Sequence, residues 1–299
     1  MNTHTGQSTS VWMTSAPQPA FPKLSHDEGA DVCIVGAGIA GLTTAYLLTK
    51  AGKTVIVLDD GPIFSGETER TTAHLVTVLD KRYFELEQLH GEGGAKLAAE
   101  SHAAAIDTIE RIVCEERIDC DFERVDGYLF NAPDQPPDLL DRELAAARRA
   151  GLTNTELVDR APPISFDTGR ALRFQRQAQF SPLKYVAALA QSIVRGGGRI
   201  FTDTHATKFT GGKPAKVATR AGSIVSCEAI VIATNTPVND WLIIQAKQAA
   251  YRSYVIGIAV PTGTVPKALY WDTGDPYHYI RLLETKTSGT TSAQDILLV

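Results

Sequence analysis

The chain is short of cysteine, with four in 299 residues: Cys33, Cys114, Cys120 and Cys227. None pairs as CxxC, which argues against a disulfide framework or a zinc ribbon and leaves buried free thiols as the expectation. The seven histidines, His4, His26, His74, His90, His102, His205 and His278, show neither HxxxH nor HExxH spacing, so no metal site is expected. Basic blocks are missing too. With 29 Lys and Arg against 34 Asp and Glu the net charge is -5, and no electrostatic footprint for nucleic acid or an anionic membrane is present. No apolar run exceeds strand length and no basic segment leads into an apolar one at the N-terminus, so neither a membrane span nor a signal peptide is expected, and the default location is cytoplasmic. Internal repeats are absent.

What is present is a globular composition, 43% hydrophobic, enough for one large domain or two ordinary ones. Its most specific stretch is residues 31–60, DVCIVGAGIAGLTTAYLLTKAGKTVIVLDD. A strand at Val32 to Val35 runs into Gly36, Gly38 and Gly41, and a helix from Ile39 to about Lys50 opens inside the turn. Backbone N–H groups and the positive helix end would therefore face a pyrophosphate. Gly36 permits the turn, Gly38 lets the diphosphate approach, and Gly41 lets helix and strand pack closely. A second strand, Thr54 to Leu58, delivers Asp59 eighteen residues after Gly41, near the separation of about 20 at which a carboxylate meets ribose hydroxyls. That charge would repel the 2′-phosphate of NADP, which leaves FAD or NAD. A second GxGxxG is lacking, which disfavours enzymes that pass hydride from NAD(P)H to FAD through two such units.

Residues 1–28 are polar and rich in Pro, Ser and Thr, with Trp12 and Phe21 as the large aromatic anchors, and are expected to lie loosely on the surface. The spacing of Leu97, Ile106, Ile109, Ile112 and Val113 predicts a long amphipathic helix from Gly91 to Arg117. Asp126-Gly127 between Cys120–Arg124 and Tyr128–Phe130 reads as a hairpin. A helix is expected over Pro136 to Ala150, then short strands at Leu172–Phe174 and Ala178–Phe180. Ser181-Pro182 starts a helix that runs to Arg195 before the glycines at 196–198. Strands follow at Arg199–Thr202 and Ala215–Thr219, with Ala229–Ala233 reading as buried on both faces. Further strand-like runs are Ser253–Val260, Ala268–Trp271 and Tyr277–Leu283.

The residues resemble the FAD-dependent oxidoreductases of the D-amino-acid oxidase type, a family that includes sarcosine, glycine and gamma-glutamylputrescine oxidases. The resemblance covers about residues 30 to 299 and rests on GAGIAGLTTA with VIVLDD, SGETERTTAHL at 65–75, LKYVAALAQSIVRGGGRIF, and AIVIATNTPVND at 229–240. ERTTAHL, LAAESHAAAID, DCDFERVDGYLF and YWDTGDPYHYIRL look closest to a bacterial subgroup whose longer members carry a C-terminal Rieske iron–sulfur domain.

The resemblance implies an α/β, two-domain architecture: a Rossmann-like FAD-binding domain with a parallel sheet (29–90 and 170–245) and a β-rich substrate domain (91–169 and 246–299). It implies that Gly36, Ala37, Gly38, Ile39 and Gly41 line the FAD pyrophosphate, with Asp59 on the adenosine ribose and Asp60 alongside. Ser65 to His74 would run towards the isoalloxazine ring, with Arg70, Thr71, Thr72 and His74 as contacts. Ala206 would meet adenine through its backbone, and Ala233, Thr234 and Asn235 would close over the nucleotide, although a strand-to-helix cap also explains Thr234 and Asn235. The implied chemistry is oxidation of an amine or amino-acid C–N bond by hydride transfer to flavin, without a dedicated side-chain base. The partner is then a small-molecule amine or amino acid, and no residue specifies the electron acceptor. Tyr251, Arg252, Tyr254, Tyr277, His278, Tyr279 and Arg281 form a polar-aromatic concentration on the substrate side, where an arginine would suit a substrate carboxylate. Family members continue beyond residue 299 and there return a strand to the nucleotide-domain sheet, so the chain, ending on DILLV, is expected to lack part of the flavin pocket, to retain FAD weakly and to leave an open apolar edge on that sheet. The alternatives are an NAD-dependent dehydrogenase on the same turn, or a non-catalytic nucleotide-binding fragment.

Overall fold

The computed structural model describes residues 9–16, 18–164, 166–238, 253–285 and 294–299. Its elements, in chain order, begin β1 (Glu28–Val35), α1 (Ile39–Lys50), β2 (Val55–Leu58), a 3-10 turn (Glu67–Arg70), β3 (His74–Leu75), α2 (Tyr83–Glu116) and β4 (Glu123–Phe130). Then come α3 (Leu139–Arg149), β5 (Glu156–Val158), β6 (Ala171–Gln179), α4 (Pro182–Arg195), β7 (Arg199–Phe201), β8 (Ala206–Thr210), β9 (Ala215–Thr219) and β10 (Ile224–Ile232). The last are β11 (Gly257–Pro261), β12 (Leu269–Asp272), β13 (Tyr279–Leu283) and β14 (Gln294–Leu298). The chain divides into two units, one of Met1–Thr71, Val113–Cys120 and Ser181–Tyr251, the other of Thr72–Ile112, Asp121–Phe180 and Arg252–Val299.

The first unit is built on a six-stranded sheet ordered β7-β2-β1-β10-β9-β8. The β7, β2, β1 and β10 strands run parallel, and β9 and β8 return antiparallel. β2 reads VIVL and is buried at all four positions, as a strand covered on both faces must be. Its core joins Cys33, Ile56, Leu58, Val217 and Val225 with Leu24 from the N-terminal segment. That segment is not loose where described: Trp12 is 3% exposed and donates Nε1–H to the Thr71 carbonyl at 2.8 Å. Of the cysteines, Cys33, Cys120 and Cys227 are buried, whereas Cys114 is exposed.

β10 departs from the expectation of burial on both faces. Beyond Cys227 it keeps β1 on one side, but β9 pairs only with Ile224 to Cys227. Glu228, Ala229 and Ile232 are consequently exposed. At α4, Ser181 stands at the N-cap ahead of Pro182 but makes no side-chain cap bond. Glu116, at the end of α2, joins two other helices: its carboxylate accepts from Tyr46 Oη and Lys50 Nζ of α1 and from Ser192 Oγ and Arg195 of α4, at 2.9 to 3.0 Å.

The second unit carries an eight-stranded sheet, β11-β14-β13-β12-β4-β6-β3 with β5 on β6. Asp126-Gly127 lies inside the continuous β4 rather than at a hairpin turn, at a shift of register against β6. A Cβ on Gly127 would stand 2.4 Å from Trp271 Cη2, so the glycine serves close packing, not a turn. The two short strands expected at 172–180 are likewise one strand, β6. The expected helix follows the break at Gly91, before which a separate helical stretch runs from Tyr83; Ala95, Ala99, Ile106 and Ile112 face the core, while Leu97 is 67% exposed. Glu143 of α3 is wholly buried, accepts the Phe84 N–H at 3.4 Å near the start of α2, and is pushed up to about 7 by burial. The terminal DILLV forms β14, which pairs with β11 on one side and β13 on the other.

Candidate functional site

In the first unit, β1 delivers the chain to Gly36, whose φ of +107° lies outside the comfortable range of L side chains. A Cβ there would meet the Ala233 carbonyl oxygen at 2.4 Å. A Cβ on Gly41 would stand 1.8 Å from the Gly36 carbonyl oxygen. Only the absence of both side chains lets α1 start directly at the ends of β1 and β10. Gly38 is the N-cap of α1 without a side-chain cap, which leaves first-turn N–H groups for another acceptor. A Cβ on Gly38 would have Thr68 Oγ1 at 3.1 Å, and Thr68 Oγ1 accepts the Ile39 N–H at 3.0 Å.

Asp59 closes the turn from the end of β2. Its Oδ2 accepts the Ala37 N–H at 2.6 Å and its Oδ1 the Gly61 N–H at 3.0 Å. Burial lifts its pKa above the usual carboxylate value, opposed by those two hydrogen bonds. The neighbouring Asp60 is exposed and has His205 Nδ1 3.4 Å from Oδ2, one residue before Ala206 at the start of β8. Ala233 is tied to β1 by its N–H on the Val35 carbonyl at 2.7 Å. Thr234 donates its hydroxyl to the Thr236 carbonyl, and Asn235 sits at φ +61°. Residues 234–238 are thus a turn and cap no described helix; 239 and 240 lie outside the described residues. Ser65, Arg70 and Thr71 follow on the same unit, with Ser65 near Gly61, Arg70 beside Glu69, and the Thr71 carbonyl holding Trp12.

Thr72 and His74 belong to the second unit instead. Both His74 ring nitrogens are shut off from water without a hydrogen-bond partner, although part of the residue's surface remains open. Burial, and then the nearby Arg281, hold its pKa down at about 3, so the imidazole is neutral. The ring meets Tyr279 edge to face at 5.0 Å, and Tyr279 meets Tyr277 at 5.0 Å. Arg281, 4% exposed, donates to the Thr72 and Ala73 carbonyls at 3.1 and 3.2 Å. It is therefore a clamp on the backbone before His74 and not the open guanidinium that a substrate carboxylate would need. His278 pairs with Asp272 at 2.7 Å, Tyr254 is 84% exposed, and Tyr251 and Arg252 lie outside the described residues.

Sequence reasoning missed Thr68, Asp80 and Trp271. Thr68 lies 29 residues from the Ile39 N–H that it accepts, so nothing local marks it; Asp80 lies in the loop between β3 and α2 and Trp271 on β12, both in the second unit. The glycine cradle, the acid at the end of β2 and the helix N-terminus fit the diphosphate and ribose of a dinucleotide. Among the described residues no helix is long and apolar enough to cross a membrane.

Residues 31–294 match the protein family described as DAO, FAD dependent oxidoreductase. YhfW of Bacillus subtilis, named as a Rieske 2Fe-2S iron-sulfur protein, is 34% identical over 266 residues, 89% of this chain and 52% of that protein. Gamma-glutamylputrescine oxidoreductase of Escherichia coli is 27% identical over 241 residues, 79% of this chain and 56% of that protein. The chain spans about half the length of the curated relatives it matches. Among solved structures, glycine oxidase from Geobacillus kaustophilus superposes with a TM-score of 0.64 at 17% identity, covering 90% of this chain and 70% of that one. L-amino acid deaminase from Proteus vulgaris gives 0.64 at 17% identity, covering 94% and 63%. By the extent of the family match and the turn that carries it, the chain belongs to the DAO family of FAD-dependent oxidoreductases.

Proposed function

We propose that the chain binds FAD and oxidises the C–N bond of an amine or amino acid. The observation that carries this is the cradle at Gly36, Gly38 and Gly41, where added Cβ atoms on Gly36 and Gly41 would collide with the backbone of Ala233 and Gly36 and one on Gly38 would crowd Thr68. Gly36 to Gly41 would hold the diphosphate with backbone N–H groups, Asp59 the ribose hydroxyls, and the Ala206 backbone the adenine. Ala233, Thr234 and Asn235 would cover the nucleotide, and Ser65 to His74 would lead on to the flavin ring. The first unit would serve as the nucleotide domain and the second as the substrate domain.

FAD, when bound, supplies hydride acceptance from the carbon next to the substrate nitrogen. The protein's task is then to hold and orient the amine and to exclude water. The neutral imidazole of His74 suits a residue pressed against a flavin, since it brings no charge into that contact. Anaerobic mixing of the flavin-loaded protein with a panel of small amines and amino acids tests the proposal: bleaching of the flavin absorption near 450 nm supports it. A loaded protein that no member of the panel bleaches, while a chemical reductant does, would count against it.

A further inference from the structure

In the second unit, Trp271, Tyr277 and Tyr279 line a cavity of about 10 Å³ together with Asp80, Arg82 and Val76. That is room for one water-sized group. Trp271 and Tyr279 face each other across the β12–β13 pair, and the Tyr277 ring closes on Tyr279 at 76°. The exposed Asp80 stands at the rim, where its Oδ1 accepts the Tyr279 hydroxyl at 2.7 Å. Burial first, and then Asp80, raise both phenol pKa values, so Tyr277 and Tyr279 stay neutral. Arg82, the other charged residue of the lining, turns its amino groups to the carbonyls of Leu79 and Asp272, at 3.5 and 3.3 Å.

We propose that this cavity is a subsite for an alkylammonium group of the substrate, with Asp80 as the counter-ion and specificity-determining residue and Tyr277 and Tyr279 as its aromatic walls. A cation within about 6 Å of a tyrosine ring is drawn to the negative face of the π-system. A carboxylate beside the rings adds direct attraction and repels anionic ligands. The head of an alkylammonium ion is about the size of the water that the cavity admits. His74 links the subsite to the cofactor segment, since its ring touches Tyr279. The preferred substrates are therefore amines that carry a positive charge, and Arg281, bound to backbone carbonyls, offers a carboxylate no competing anchor. The proposal rests on the function proposed above only in treating the ligand as a substrate.

Isothermal titration of the full chain with n-butylammonium, n-butyrate and n-butanol tests it without reference to flavin or turnover. Butylammonium is expected to bind at least about tenfold more tightly than either matched probe, and to weaken with added salt. Asp80→Asn is expected to lose about tenfold in that affinity, Asp80→Glu to recover part of it, and Tyr277→Phe, which keeps the ring, to stay within about threefold of the parent. Circular dichroism checks that each variant folds. Butyrate or butanol binding as well as butylammonium, no binding of butylammonium, or Asp80→Asn binding like the parent would overturn the proposal. Flavin loading depends on the glycine turn of the first unit, so a colourless protein that still prefers butylammonium would reject the oxidase and keep the subsite.

Discussion

The Gly36 carbonyl oxygen lies 1.8 Å from where a Cβ on Gly41 would stand. No side chain fits there without moving the start of α1 off β1. Gly41→Ala is therefore expected to lose about 2 kcal/mol of stability from overpacking. It should also lose at least about tenfold in FAD affinity, because the helix N-terminus can no longer approach the diphosphate. Thermal melts and flavin fluorescence titrations of the purified variant check both, and unchanged FAD affinity would separate the turn from cofactor binding.

Glu116 gives a prediction about acid. The Lys50 ammonium first, and the Ser192 and Tyr46 hydroxyls after it, hold its carboxyl at about 2, against an ordinary value of 4.5. A depressed folded pKa contributes stability that is complete above the unfolded value and lost as pH falls from about 4.5 towards 2. Lys50 and Arg195 are more than half exposed, so screening reduces the contribution to about 1 kcal/mol. Glu116→Gln should melt below the parent at pH 7, with the gap closing as pH falls below 4.5. A gap as wide at pH 3 as at pH 7 would mean that packing, not charge, holds the three helices together.

His74 titrates in the opposite sense to the usual histidine. Its folded pKa of about 3 lies below the ordinary 6.5, so the unfolded chain binds the extra proton between those values and stability rises with pH across that window. The slope from this one group is at most about 1.4 kcal/mol per pH unit. Replacement by Gln, which does not titrate, should flatten the stability profile between pH 4 and 6.5, measured by urea unfolding at a series of pH values. An unchanged slope would show that the ring is open to water and protons.

The nucleotide turn was legible because its signals are local: three glycines, a strand before, a helix after and an acid at the next strand end lie within thirty residues. The family motifs extended that reading to Ala233, which meets the turn through the pairing of β10 with β1. What stayed hidden depends on tertiary partners. Asp126-Gly127 carries the chemistry of a hairpin, yet Trp271, well over a hundred residues later, requires that glycine inside a strand. Ala229 to Ala233 look like a doubly buried strand, but burial depends on which neighbours pair, and the pairing of β9 with β10 stops at Cys227. Leu97 fits a helical stripe whose face is instead set by Ala95 and Ala99 beyond the break at Gly91. Trp12 sits in a polar segment that composition marks as loose, and one hydrogen bond with near-complete burial fixes it. The sequence offers an arginine, Arg252 or Arg281, to a substrate carboxylate, and nothing local reveals that the carbonyls of Thr72 and Ala73 hold Arg281.

The central claim is that this glycine turn holds FAD, and parallel titration of the flavin-free chain with FAD and with NAD tests it most directly. The account predicts one FAD per chain, quenched in fluorescence on binding, with NAD weaker by about a hundredfold, a difference of about 2.7 kcal/mol. NAD binding as tightly as FAD, or FAD failing to bind a folded chain, would contradict it.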